Sequence, residues 1–399
     1  MRRPPKICHI ITTWYERAGT SRRTLRVLRG LLSKGYEVDL WVGQEASPKF
    51  LRQVQQEGFG VWQVPGLQKQ VSPPNDLRAL WHMRRRLARG GYDLVHTHLA
   101  KAGILGRLAA KQVGVPCIVH TIHGPSFPES KPWWQRALYR KLECLAAGFS
   151  HRLVYVGKEL QDQYLEAGIG YREKSIVIYS GRDFSKFLSA AALGTKDRLA
   201  HRAKMGFKET DLVVGYVARV VPSKGHFILL EAARRLSGAY PHVHFLCVGE
   251  AHTPFEKTFK NILLEKMRQF DLVDKVRLLG HQDNIENYYA LFDVFIMPSF
   301  YEGLPNVVLE AAVMGLPVVA FDCGGVQEIL GDRTEVVPPR DLEGFYRLLE
   351  KTLAQVQANG HSQPSTDHIK SLLDLWSIEN MVKAKHELYE ALLGHLCAR

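Results

Sequence analysis

Short apolar runs alternate along the whole chain with longer segments whose apolar positions recur every three or four residues. Near-continuous apolar runs suit strands buried on both faces of a parallel sheet, and the longer amphipathic segments suit the helices that cross over between them. In the first half this predicts strands over Lys6–Thr12, Glu37–Val42, Tyr92–His98, Pro116–Ile122, Arg152–Val156 and Ser175–Tyr179. Helices are expected over Thr20–Lys34, Asp76–Arg89, Ile104–Val113 and Trp133–Gly148. Leu188–Lys204 is Ala-rich and charged, without a core strand, and reads as a connection. The pattern then restarts with strands Leu212–Ala218, His242–Val248, Val276–Leu279, Val294–Met297 and Pro317–Phe321. Helices fall near Phe227–Leu236, Phe255–Phe270 and from Pro305 onward. Ser362–Thr366 reads as a loop, and amphipathic segments Asp367–Leu375 and Ile378–Leu396 close the chain. The expected architecture is two Rossmann-like α/β domains, 1–182 and 183–375, followed by a C-terminal helix at 376–399.

The 399 residues are too many for one ordinary core, which agrees with two domains. No apolar run approaches the roughly 18–20 residues that span a bilayer. The apolar stretch Ile7–Ile11 is too short for a signal peptide. The six cysteines show no C-x-x-C spacing and are expected as free thiols in a reducing cytoplasm. Charge is uneven: residues 1–182 carry 29 Lys and Arg against 13 Asp and Glu, whereas the remainder carries 24 against 27. A basic N-terminal half attracts phosphorylated substrates, anionic lipid or nucleic acid, but no recognised nucleic-acid motif is present. No strand is followed by G-x-G-x-x-G, which disfavours a dinucleotide oxidoreductase.

The richest strand end is Ile296-Met297-Pro298-Ser299-Phe300-Tyr301-Glu302-Gly303-Leu304-Pro305-Asn306-Val307-Val308-Leu309-Glu310. Pro305 suits a first helical turn, because its missing N–H would have lacked an intrahelical partner. Gly303 permits close approach of a ligand to the backbone. Free amides near Asn306 and Val307 would then form a helix N-terminus suited to phosphate oxygens. Glu302 before the helix and Glu310 within it could bracket a diphosphate, their oxygens accepting hydroxyls of a sugar and a ribose. The bare spacing of two glutamates says nothing; the Gly-Leu-Pro-Asn turn between them carries the reading. A second strand end, Gly215-Tyr216-Val217-Ala218-Arg219-Val220-Val221-Pro222-Ser223-Lys224-Gly225, places two cations before a helix. Arg219 and Lys224 could hold a diphosphate and stabilise it as a leaving group. Two solvated loop cations are the plainer alternative.

These segments resemble the donor domain of the large retaining glycosyltransferase family 4, which has the GT-B fold. Val243–Glu250, Val276–Gly280, Gly315–Ala320, Gly324-Gly325-Val326-Gln327-Glu328 and Tyr179–Asp183 match as well. The resemblance implies two domains facing a cleft, a last helix crossing back to the first domain, and sugar transfer with retention and no required metal. It assigns the donor phosphates to Arg219 and Lys224, the ribose to Glu310 and the transferred sugar to Glu302, with backbone contacts from Gly303 to Val307. His123, ending the run Cys117–Gly124, matches a histidine that contacts the donor sugar and stabilises positive charge on its ring. His120 is expected to be structural. The first loop departs from the family: Ala18 stands where many relatives have the first of two glycines, and Gly19 keeps the close-approach position.

His96 and His98 share a strand face, yet no third ligand at a typical spacing suggests a metal. Helix Thr20–Lys34, with Arg22, Arg23, Arg26 and Arg29, and the segment Lys131–Lys141, with Trp133 and Trp134, suggest attachment to an anionic membrane. Each apolar stripe could equally pack against the sheet, which for a single helix is the default. The stretches Thr97–Arg107 and His120–Gly124 resemble enzymes that extend bacterial lipid-linked polysaccharide precursors. The expected partners are therefore a nucleotide-sugar donor, with UDP-sugar favoured over GDP-sugar, and a lipid-linked or other saccharide acceptor. The expected setting is cytoplasmic, peripheral on the inner face of the membrane. A nucleotide-sugar epimerase of similar fold and a non-catalytic nucleotide-sugar-binding protein are the rival readings.

Overall fold

The computed structural model describes residues 3–14, 19–127, 132–331, 336–360 and 366–397. The chain divides into two compact units, one comprising residues 1–182 with 375–399 and the other residues 183–374.

The first unit holds a seven-stranded parallel sheet. Its strands are β1 (Lys6–Ile11), β2 (Glu37–Val42), β3 (Gly60–Gln63), β4 (Leu94–His98), β5 (Cys117–Ile122), β6 (Arg152–Tyr155) and β7 (Ser175–Val177), in the order 3-2-1-4-5-6-7. The order reverses beside β1, where β1 pairs with both β2 and β4. Strand β3 and the helix Pro48–Gln56 before it were not legible as separate elements. Ser47 starts that helix by accepting from the Phe50 N–H at 3.2 Å. Helix Gly19–Ser33 buries Leu25, Leu28 and Leu31 against one sheet face together with Met381, Leu388, Tyr389 and Leu392 of the last helix, Ile378–Cys397. Gly30 makes that approach possible, since a Cβ there would meet Val382 Cγ1 at 2.4 Å. The apolar stripe of helix Gly19–Ser33 is thus core, so of the two readings open for it the packed one holds and the membrane-facing one does not. On the opposite face, Arg107 and Glu143 form a fully buried ion pair at 2.6 Å.

The second unit holds five parallel strands, β8 (Leu212–Val217), β9 (Val243–Val248), β10 (Val276–Leu278), β11 (Val294–Met297) and β12 (Val318–Ala320), in the order 10-9-8-11-12. The reversal here lies between β8 and β11, the position at which open α/β sheets usually hold a ligand. The stretch read as a connection forms two helices, Ser185–Ala191 and Thr195–Lys204. Arg198 and Arg202 of the second helix hold the buried carboxylate of Asp293, which also accepts the Val213 N–H at 2.6 Å. The loop expected at Ser362–Thr366 falls largely outside the described residues.

Candidate active site

Two glycines draw together the loops leaving β8, β11 and β12, and a third brings the turn after β9 onto the β8 loop. Gly225 has φ +79°, and a Cβ there would strike the Pro298 carbonyl oxygen at 2.0 Å. Only glycine lets the turn after β8 lie against the loop after β11. The Phe300 N–H then donates to Ser223 O at 3.0 Å, and the Tyr216 hydroxyl donates to Lys224 O at 2.7 Å. Gly249 does the same between β8 and β9, where a Cβ would meet Ala218 O at 1.8 Å. Gly324, at φ +65°, packs the turn after β12 onto the Glu302 backbone, where an added Cβ would meet the Glu302 carbonyl carbon at 2.7 Å. The Cys323 thiol donates to Ser299 O at 3.2 Å across the same junction.

This packing brings two of the expected residues into direct contact: Lys224 Nζ forms an ion pair with Glu302 Oε1. Both side chains are largely shielded, 18% and 14% exposed. Arg219 is not part of that pair. It is 63% exposed and approaches Glu256 at 3.5 Å. Glu256 is held by its own helix start, closing a capping box with Thr253 while its Oε2 accepts the His252 N–H at 2.6 Å. Burial, the largest single influence, pushes its carboxyl up, but the His252 and Thr253 backbone N–H groups and the charges of Arg219 and His252 together bring it below the usual value.

Helix Asn306–Val313 begins after Pro305, as expected, and Glu310 is buried within it. The expectation of two free amides needs correcting at Asn306, whose N–H donates to Leu304 O at 3.0 Å. The tight Leu304–Asn306 turn takes up that donor, so the Val307 amide is the first available one. The Tyr289 hydroxyl donates to Val307 O at 3.2 Å and anchors the helix start. Gly303 and Leu304 form the turn between Glu302 and the helix, with Leu304 buried.

In the first unit the parallel register sets His9 of β1 beside His96 of β4. His9, His96 and His98 share one sheet face, the His96 and His98 rings stacking at 4.5 Å. Their ring nitrogens lie within 4.8 Å of one another, so His9 supplies the third ligand position that local spacing did not reveal. Every ring nitrogen of the trio is already engaged. His9 Nδ1 meets His98 Nε2 at 2.9 Å, and His98 Nδ1 meets His123 Nε2 at 3.0 Å. His96 contacts Thr121 at 2.6 Å and also Tyr389, whose hydroxyl lies 3.3 Å from His9 Nε2. Lys385 donates to Thr121 Oγ1 at 3.1 Å. His120 points to the other face, contacts Thr97 Oγ1 at 2.9 Å and packs on Gly103, as a structural histidine should.

Burial pushes all these imidazoles down, His9 to about 3, with neighbouring cations and rings adding to the effect. For His123 the further contribution comes from the charges of Arg23 and Lys385. Gly19 opens helix Gly19–Ser33. Ala18 and the loop before it, residues 15–18, lie outside the described residues.

The sequence model of the glycosyl transferases group 1 family matches residues 211–355, and that of the glycosyl transferase 4-like domain matches residues 18–181. A UDP-Gal:alpha-D-GlcNAc-diphosphoundecaprenol alpha-1,3-galactosyltransferase of Escherichia coli is 30% identical over 83% of this chain and 84% of its own. The chain belongs to the glycosyl transferases group 1 family. The putative glycosyltransferase EpsF of Bacillus subtilis is 24% identical over 92% of the chain and 91% of its own length. The group 1 transferase also shares its fold with a Rickettsia africae glycosyltransferase, at TM-score 0.80, 18% identity and 98% and 99% coverage. Anabaena Alr3699/HepE in complex with UDP-glucose superposes at TM-score 0.77 and 20% identity, over 97% and 99% of the two chains. The architecture is GT-B, and the protein is a glycosyltransferase.

Several residues of this group 1 transferase were missed from sequence. Glu256 is the partner of Arg219, and its only local signal is the Thr-Pro-x-Glu capping box. Lys385 and Tyr389 sit at i and i+4 on the apolar face of the last helix, where a lone lysine among Met381, Leu388 and Leu392 was the available hint.

Proposed function

We propose that the protein moves a hexosyl group from a UDP-sugar, with retention of anomeric configuration and without a required metal, to a lipid-linked glycan. The observation that carries the donor half is the Lys224–Glu302 pair, set between the β8 and β11 loops at the strand-order reversal. Such a pair offers one group for each part of a nucleotide sugar. A diphosphate takes the ammonium of Lys224, with Arg219 joining from the same turn, and the pair of cations stabilises the charge of the departing nucleotide. Glu302 is then released to accept sugar hydroxyls, while the buried Glu310 accepts ribose hydroxyls. The Val307 amide adds a donor at the helix start. His123 contacts a hydroxyl oxygen of the transferred sugar, and Gly19 lets the first helix start close to the ligand.

Acceptor and setting rest on different support. The Escherichia coli relative is named for a diphosphoundecaprenol-linked acceptor. Helix Trp133–Gly148 exposes Trp133, Trp134, Leu138 and Leu145, beside the cations Arg136, Arg140 and Lys141. That combination suits the interface of an anionic membrane. Among the described residues no helix is long and apolar enough to cross one. The protein would then work as a peripheral enzyme on the cytoplasmic face. The test is incubation with UDP- and GDP-sugars, each with and without a polyprenyl-diphosphate-linked saccharide. Glycolipid formed from a UDP-sugar supports the proposal, whereas an isomerised nucleotide sugar formed without acceptor overturns it in favour of an epimerase.

A further inference from the structure

We propose that one directed file of hydrogen bonds, starting at Lys385 and ending at His123, holds His123 in the tautomer protonated on Nδ1. Its bearing on transfer rests on the role given to His123 above; its existence does not. The file runs across four elements of the first unit: helix Ile378–Cys397 supplies Lys385 and Tyr389, β5 supplies Thr121, β4 supplies His96 and His98, and β1 supplies His9.

The direction follows from one group that can only donate. An ammonium has three N–H groups and no lone pair. Lys385 therefore donates to Thr121 Oγ1 at 3.1 Å, and the single hydroxyl proton of Thr121 turns to its other neighbour, His96 Nε2, at 2.6 Å. A neutral imidazole that accepts on one nitrogen carries its proton on the other. His96 then donates from Nδ1 to the Tyr389 hydroxyl. Tyr389 has one proton and passes it toward His9 Nε2 at 3.3 Å. His9 in turn donates from Nδ1 to His98 Nε2 at 2.9 Å, and His98 from Nδ1 to His123 Nε2 at 3.0 Å. His123 is left with its proton on Nδ1, an atom that is buried and meets no partner among the described residues.

The reverse direction fails at its first link, because the Thr121 proton would then face the Lys385 ammonium. Two conditions keep the file intact, and burial supplies both. The rings must be neutral, and burial holds His9, His96, His98 and His123 well below their usual range. Tyr389 must keep its proton, and burial raises its hydroxyl well above the usual value. Lys385 itself is pulled down to about 7, so its ammonium dominates on the acid side of that value. The same network uses the lone pair of each Nε2, which a divalent metal on His9, His96 and His98 would need. Lys385, Thr121, His96, Tyr389, His9 and His98 are thus positioning residues, and His123 becomes a fixed N–H donor for an oxygen of the donor sugar.

The experiment reads the tautomer directly, by ring 15N shifts in protein labelled at histidine, measured at a pH below 7, with His123→Gln assigning the signal. The expected result is Nδ1–H in the wild type and a mixed or Nε2–H population in Lys385→Met. Thr121→Val, which keeps the shape but breaks the second link, should do the same and serves where Lys385→Met does not fold. His123 protonated on Nε2 in the wild type, or on Nδ1 in every folded variant, overturns the proposal. A stoichiometric divalent metal lost in His9→Gln overturns it likewise. Transfer assays form the second arm: kcat should fall at least tenfold in the variants, with KM for the donor little changed. A shifted tautomer with unchanged kcat removes the link to transfer and counts against the role of His123, while the file itself stands.

Discussion

Replacing Lys224 by Met tests the donor site without opening a hole, because the two side chains are similar in length. Two consequences can be worked from the structure. The first concerns catalysis. A unit charge about 4 Å from a phosphate contributes about 4 kcal/mol at an effective dielectric near 20. Lys224 is 18% exposed and its partner Glu302 cancels part of its field, which leaves about 3 kcal/mol. That is about a hundredfold loss in kcat/KM. The second concerns stability. Lys224→Met strands the Glu302 carboxylate, at a cost of about 1–3 kcal/mol for a group still in partial contact with water. Adding Glu302→Gln removes that stranded charge. The double variant should therefore recover most of the urea midpoint and none of the transfer activity. Radiolabelled transfer and urea unfolding of the four proteins in the cycle measure both quantities. The reasoning is refuted if Lys224→Met keeps kcat/KM within about threefold of wild type, or if the double variant regains transfer along with stability.

Gly225→Ala should lower stability by about 1–3 kcal/mol, since the residue needs φ +79° and its Cβ would strike Pro298 O, and donor binding by thermal shift should fall with it. Arg107→Met strands Glu143, 1% exposed, in the first unit and should cost about 3–5 kcal/mol in urea unfolding, with Arg107→Met/Glu143→Leu recovering much of it. Acid should destabilise the first unit through its buried histidines. Their folded values lie below 6.5, so the unfolded chain binds more protons, and stability falls as pH drops from 6.5 toward about 3 for His9, by up to about 1.4 kcal/mol per pH unit for each ring. Urea midpoints across that range check the slope, and His98→Gln should flatten it. Trp133→Ser/Trp134→Ser should abolish flotation with anionic vesicles while leaving transfer to a water-soluble acceptor analogue unchanged.

The strands were legible because buried parallel strands are short and almost wholly apolar, so β1, β2, β4, β5, β8, β9 and β11 stand out from the pattern. β3 did not, because Gly60–Gln63 is an edge strand with half-exposed side chains and mixed polarity. Lys224 and Glu302 were each legible as strand-end residues, yet their pairing depends on Gly225 and Gly324, whose positive φ is set by tertiary packing. The apolar stripe of helix Gly19–Ser33 went to the core because an amphipathic helix first satisfies its own packing. The histidine file was invisible locally. It joins residues from positions 9 to 389, and only the β1–β4–β5 register and the packing of the last helix bring them together.

The anomeric configuration of the product tests the central claim most directly. Nuclear magnetic resonance of the glycolipid made from an α-linked UDP-sugar, in wild type and in Lys224→Met, reads the linkage and the yield together. An α-linked product in the wild type, with yield reduced about a hundredfold in the variant, is the predicted result. A β-linked product, or equal yields from the two proteins, would contradict the account.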